Sequence, residues 1–98
     1  LRGMIEKFPN DDLLRNNAAW FASRAARELE TAEKDITSAL SHNPNVAAYL
    51  DTMAEIEFAK GNRAKAVKWS IRALEHAPLD DQIRRQSSRF RSGPFPVK

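Results

Sequence analysis

Apolar positions along this chain recur at helical spacing, and nowhere does a stretch alternate as a strand would. The clearest stretch runs from Val46 to Lys60, where Val46, Leu50, Met53 and Ala54 mark one helix face and Tyr49, Ile56 and Phe58 widen it. Asn45 is placed to cap its start. Gly61 follows the last periodic residue, where a left-handed cap strains glycine least. Asn62 then caps a second helix, whose face is Ala66, Val67, Ser70, Ile71, Ala73, Leu74 and Ala77. So many alanines at helical spacing imply a close helix neighbour, and residues 45–78 form a predicted α-hairpin.

The flanks follow the same rules. Asn10-Asp11-Asp12 starts a helix predicted over about Asp12 to Ala26, with Leu13, Ala19, Trp20 and Ser23 on the packed side. Its partner runs from about Leu29 to His42 on Leu29, Ala32, Ile36, Ala39 and Leu40, so residues 10–44 form a first hairpin. The turn between them, near Arg27, has neither glycine nor proline. Residues 1–9 end in Pro9 and are expected to be the last turns of a preceding helix, with Leu1, Met4, Ile5 and Phe8 as its apolar remnant. Residues 79–92 carry Leu79, Ile83 and Phe90 on one side and arginines elsewhere, as a capping helix would; residues 93–98 are expected to be a flexible tail.

A shift of 34 residues pairs Ala32 with Ala66, Ala39 with Ala73, Leu40 with Leu74, His42 with His76 and Pro44 with Pro78. Pro9, Pro44 and Pro78 repeat at intervals of 35 and 34. The second unit places Leu50, Met53, Ala54, Glu57, Ala66, Ser70 and Pro78, and the first Asn16, Ala19, Trp20, Ser23, Ala32, Ile36 and Pro44, on the pattern W-x2-L-G-x2-Y…A-x3-F…P. On these residues, over roughly 11–80, the chain resembles the tetratricopeptide repeat family. It departs from the pattern at Trp20, where a small residue is usual, and at Arg27, which replaces the inter-helix glycine. The resemblance implies an all-α, right-handed solenoid of two helix-turn-helix units plus a C-terminal capping helix, at the C-terminal end of a longer array of bacterial type.

The net charge of +3 sits entirely in residues 79–98, which hold Arg84, Arg85, Arg89, Arg91 and Lys98 against Asp80 and Asp81. There is no cysteine, which excludes disulfides, thiolate metal sites and a cysteine nucleophile. No apolar run approaches the roughly 20 residues that a membrane helix needs, and no targeting segment is recognisable. Compartment is not readable.

Candidate chemistry is sparse. His42 and His76 occupy equivalent last-turn positions in successive units, where imidazolium meets the helix dipole, so they are not expected to share a metal. Asp11/Asp12 and Asp80/Asp81 read as caps, and Glu55 and Glu57 do not share a helix face. Three isolated glycines make no phosphate loop. Neither catalysis nor a cofactor is expected. Trp69, among Lys65, Lys68, Arg72 and His76, is expected under lysine stems or against a neighbour.

The family resemblance implies a concave groove lined by the first helix of each unit, holding a peptide or protein segment. The 34-residue shift arranges it in columns: Asn17, Asp51 and Arg85; Phe21, Glu55 and Arg89; Arg24, Phe58 and Ser92. The expected groove is acidic in the middle and basic at the cap, with Phe21 and Phe58 as apolar contacts. The alternatives are nucleic-acid binding by the basic C-terminal helix, less favoured because only five basic residues contribute, and a regulatory appendage to an enzyme domain upstream. Because Leu1–Phe8 supply only part of a hairpin, the outer face of the Asp12–Ala26 helix is expected to be left uncovered, which predicts self-association through this N-terminal face.

Overall fold

In the computed structural model of the chain, which describes residues 11–95, five α-helices follow one another and no strand forms among the described residues. They are α1 (Asp12–Ala25), α2 (Leu29–His42), α3 (Ala47–Ala59), α4 (Arg63–His76) and α5 (Asp81–Ser92). Leu1–Phe8, expected to border the self-associating N-terminal face, lie outside the described residues.

Side chains start two of the helices. The carboxylate of Asp11 accepts from the backbone N–H of Leu14 at 3.0 Å, and that of Asp80 from Ile83 at 3.0 Å. Asn45 does not cap α3; Val46 takes that position, without a side-chain bond. Asn62 stands at the start of α4, but its amide donates to Glu57 at 3.2 Å instead of capping.

Both hairpin turns close by the same device. After α3, Gly61 sits at φ 88°; its N–H bonds to the Phe58 carbonyl and that of Asn62 to Glu57. After α1 the left-handed residue is Ala26, at φ 52°, with N–H bonds from Ala26 to Ser23 and from Arg27 to Ala22. Glu28 adds a second left-handed residue at φ 51°. The turn near Arg27 therefore lacks glycine but not the glycine conformation.

The core gathers around α3, which packs against α1, α2 and α4 and meets α5 over a short stretch. Tyr49 through Ala59 are all buried. On one side, Met53 and Ile56 join Ala19, Ala32, Ile36 and Ala39 of the first hairpin. On the other, Phe58 meets Ala66 and Phe90, while Leu50 meets Ala73 and Ile83. The alanines at 32, 39, 66 and 73 are the close-approach points. Trp69 is neither remote nor covered only by lysine stems: it packs against all three clusters, with Arg72 over its ring at 4.9 Å.

Helix α5 is held by more than apolar contact. Ser70 Oγ donates to Ser87 Oγ at 3.2 Å in the α4–α5 interface. Arg63 donates to the carbonyls of Phe90 and Gly93, both at 2.8 Å, supplying charge and donors where the dipole is negative. Phe95 stacks on Phe58, centroids 4.9 Å apart, beneath the Arg63 guanidinium. Residues 93–95, expected to be flexible, are thus docked. Leu79, expected on the apolar side, is 85% exposed ahead of the helix, and Leu13 also faces outward. The extents of 38 × 30 × 18 Å describe a slab, not an elongated rod.

Candidate functional site

Helices α1 and α5 both pack on α3, yet their backbones do not approach each other. This leaves a cleft between them with α3 as its floor. Across it lies an ion triad: Glu55 Oε1 accepts from Arg24 of α1 at 3.3 Å and, closely, from Arg89 of α5. The Glu55 side chain is 3% exposed, that of Arg24 52% and that of Arg89 33%. Arg89 is fixed further by Gln86 Oε1 at 3.2 Å and by the rings of Phe58 and Phe90. Glu55 is therefore shared by two arginines, and the triad carries one net positive charge.

One turn earlier on α3, the cleft opens into a cavity of about 260 Å³, lined among others by Asn16, Trp20, Asp51, Thr52, Asp80 and Gln82. Asp51 is buried, at 4% exposure, and its Oδ1 has no hydrogen-bond partner among the described residues; the same holds for Oδ1 of buried Asn16. Burial pushes the Asp51 carboxyl up from its ordinary 3.8 to about 7, Glu55 and Asp80 add to the rise, and Arg89 opposes it. At neutral pH the group is divided between its neutral and ionised forms.

The columns read from a single 34-residue shift need correction. Helices α2 and α4 are related by 34 residues, as Leu29 and Arg63 at their starts show. The first helices are related by 35: their caps are Asp11 and Val46, and the left-handed residues that end them are Ala26 and Gly61. The turn after Ala26 is one residue longer than that after Gly61. Asp51 therefore corresponds to Asn16 and not Asn17, Glu55 to Trp20, and Phe58 to Ser23. Asn16 and Trp20 line the cavity and were missed for this reason; the 35-residue interval between Pro9 and Pro44 was the available signal.

Of the expected groove residues, Arg24, Glu55 and Arg89 meet in the triad, and Asp51 and Asn17 line the adjoining cavity. The others do not join them. Phe58 is fully buried against Phe90 and Phe95 and is no groove contact. Phe21 is 62% exposed but lines a separate cleft with Ala18, Ala25 and Arg27. Arg85 and Ser92 are exposed. Both acids of the middle hairpin lie along the cleft: Glu55 is paired with Arg24 and Arg89, and Oδ1 of Asp51 has no donor among the described residues.

A second cleft, of about 470 Å³, opens between α2 and α4 over Met53 and Trp69, rimmed by Lys65, Lys68 and Arg72. Beside it Glu57 is buried and hydrogen-bonded to Glu33, while Lys60 reaches both Glu33 oxygens at 3.3 Å. Burial, then Glu33, raises the Glu57 carboxyl; Glu57 and, against the opposing effect of burial, Lys60 lower that of Glu33. His42 Nδ1 lies 3.1 Å from the Asp12 carboxylate, tying the end of α2 to the start of α1. Among the described residues no three His, Cys, Asp or Glu side chains are grouped to hold a metal. No described helix is long and apolar enough to cross a membrane.

Compared with protein-family models, with curated proteins and with solved structures, the chain matches none.

Proposed function

We propose that the chain is a tetratricopeptide-like interaction module that holds a segment of another protein along the cleft between α1, α3 and α5. In this reading α1–α2 and α3–α4 are successive units of a right-handed solenoid, and α5 is the first-helix equivalent that covers the last one. The observation that carries it is the cleft itself: two helices held apart on a common floor, with buried polar atoms left unpartnered in its wall. Buried polar groups are nearly always bonded in folded proteins, so each unmet one calls for an explanation, and a donor from a bound partner is one that fits a cleft wall. The binding of an extended segment needs such a track of fixed polar groups more than it needs reactive ones.

The basic C-terminal helix is a weaker basis for nucleic-acid binding than its composition promises. Arg89 is committed to Glu55 and Arg63 to the end of α5, leaving Arg84, Arg85 and Arg91 exposed, with Arg84 3.8 Å from Asp81. A few exposed phosphate-binding arginines give little affinity at physiological salt.

The test is selection of peptides from a display library against the whole chain, followed by titration calorimetry. The variant carrying Asn17→Arg and Gln82→Arg, two exposed residues at the cavity rim, is expected to lose binding by tenfold or more with an unchanged thermal midpoint. Selected peptides that bind this variant undiminished would move the site elsewhere.

A further inference from the structure

The Asp51 end of the cleft has a chemical preference that the groove reading alone does not supply. Its wall contains two buried oxygens with no donor, Asn16 Oδ1 from α1 and Asp51 Oδ1 from α3. Asp80, at the start of α5, adds a second carboxylate, already accepting from Ile83, and Thr52 Oγ1 donates its own proton to the Ala48 carbonyl and keeps lone pairs free. Among the described residues no lysine or arginine lines this cavity. Arg24 and Arg89 are held by Glu55. The cavity is therefore rich in acceptors, with the Trp20 ring at its edge and the Glu55-bonded Arg24 guanidinium 5.7 Å from that ring's centroid.

We propose that this cavity, between α1, α3 and α5, is a subsite for an ammonium group, that of a lysine side chain or N-terminal amine on the bound segment, accepted by Asp51 and Asn16. The proposal rests on the groove reading and adds the chemistry of one position in it. An ammonium carries three donors that point in different directions, which suits acceptors arriving from separate helices; a guanidinium's planar fork suits a single carboxylate presented face-on. Trp20 offers apolar ring surface at the cavity edge to the methylene stem, beside the Arg24 guanidinium it already contacts. Asn17 and Gln82, both exposed at the rim, are the side chains that an entering group turns aside.

Binding of a cation by Asp51 requires its ionised form. The charged groups that act on it are Glu55 on its own helix and Asp80 and Arg89 of the α5 segment, while Asn16 and Trp20 from α1 are neutral. Burial first, and then two negative neighbours against one positive, disfavour a third negative charge until a cation arrives.

The experiment is a nitrogen-15 NMR titration of the whole chain with Nα-acetyl-lysine N-methylamide, alongside the norleucine analogue, which lacks the ammonium, and the arginine analogue. Expected are saturable shifts at Asn16, Thr52 and the Trp20 indole with the lysine compound at pH 8. Binding should weaken by about tenfold or more at pH 5.5, because the ionised fraction of Asp51 falls with each pH unit below about 7. It should be absent with norleucine and lost in Asp51→Asn, whose fold is checked by its spectrum. Equal shifts from norleucine, an arginine compound that binds as tightly, binding that survives Asp51→Asn, or no saturable shift would each overturn the proposal. Display-selected peptides that need Asn17 and Gln82 but carry no ammonium would sink the subsite and leave the groove standing. Lysine-compound binding without any groove-directed peptide would do the reverse.

Discussion

Ala26 and Glu28 hold positive φ without being glycine, the only two such residues among the described ones. A left-handed conformation costs an L-residue about 1–2 kcal/mol, whereas glycine's extra chain entropy costs about 0.5–1. Glu28→Gly is therefore expected to stabilise by about 0.5–1 kcal/mol, and because Glu28 is exposed no packing is lost. A thermal midpoint raised by a few degrees is the check; a lowered one would show that the turn is not strained. Asp51 gives the second prediction at this scale. Its folded-state carboxyl stands at about 7 against an ordinary 3.8, so the folded state binds the proton more tightly than the unfolded chain. Stability contributed through this group is present at low pH and falls as pH rises from about 4 to about 7, then levels off. Asp51→Asn should flatten that slope and raise stability at pH 8, as denaturant titrations at several pH values will show. An unaltered slope would mean that Asp51 titrates as it does in water.

At the scale of elements, the triad that spans the cleft is asymmetric. Arg24 is half-exposed and can return to water, so Arg24→Ala is expected to cost less than about 1 kcal/mol. Arg89 is more enclosed, packs on Phe58 and Phe90, and is the closer partner of a buried carboxylate. Arg89→Ala is expected to cost about 2–3 kcal/mol. Equal losses in chemical unfolding would contradict this division. Helix packing itself is tested by Ala73→Trp, which must force α4 away from α3 and α5, against Lys68→Trp on the exposed side; the first should cost about 1–3 kcal/mol or more and the second little. Helix existence was legible in the sequence because α2 and α4 each present a marked apolar face; α2 begins and ends where the periodicity placed it. The inside of α3 was not legible. Four helices surround it, so Asp51, Glu55 and Glu57 are as buried as Leu50 and Phe58, and polarity there no longer marks a wet face. The clue was relational: Glu55 and Arg89 stood in one predicted column, and opposite charges in one column can bond to each other instead of lining an open surface.

For the whole molecule, α3 is the shared wall of every cluster, so the two hairpins and α5 form one packed unit and not independent modules. The candidate cleft is a consequence of that arrangement, since α1 and α5 can flank α3 only by standing apart. Its composition could not be read from the sequence at a single repeat interval, because the extra residue in the turn after Ala26 moves α1 by one position and replaces Asn17 with Asn16 opposite Asp51. If this cleft holds the partner segment, its lining must respond when one binds. The most direct measurement is a map of amide and indole shifts on the nitrogen-15-labelled chain as a display-selected peptide is added. Changes are expected to concentrate at Asn16, Asn17, Trp20, Asp51, Thr52 and Gln82; changes centred on Met53 and Trp69, or on Phe21 and Ala25, would place binding on another face and overturn the cleft as the site.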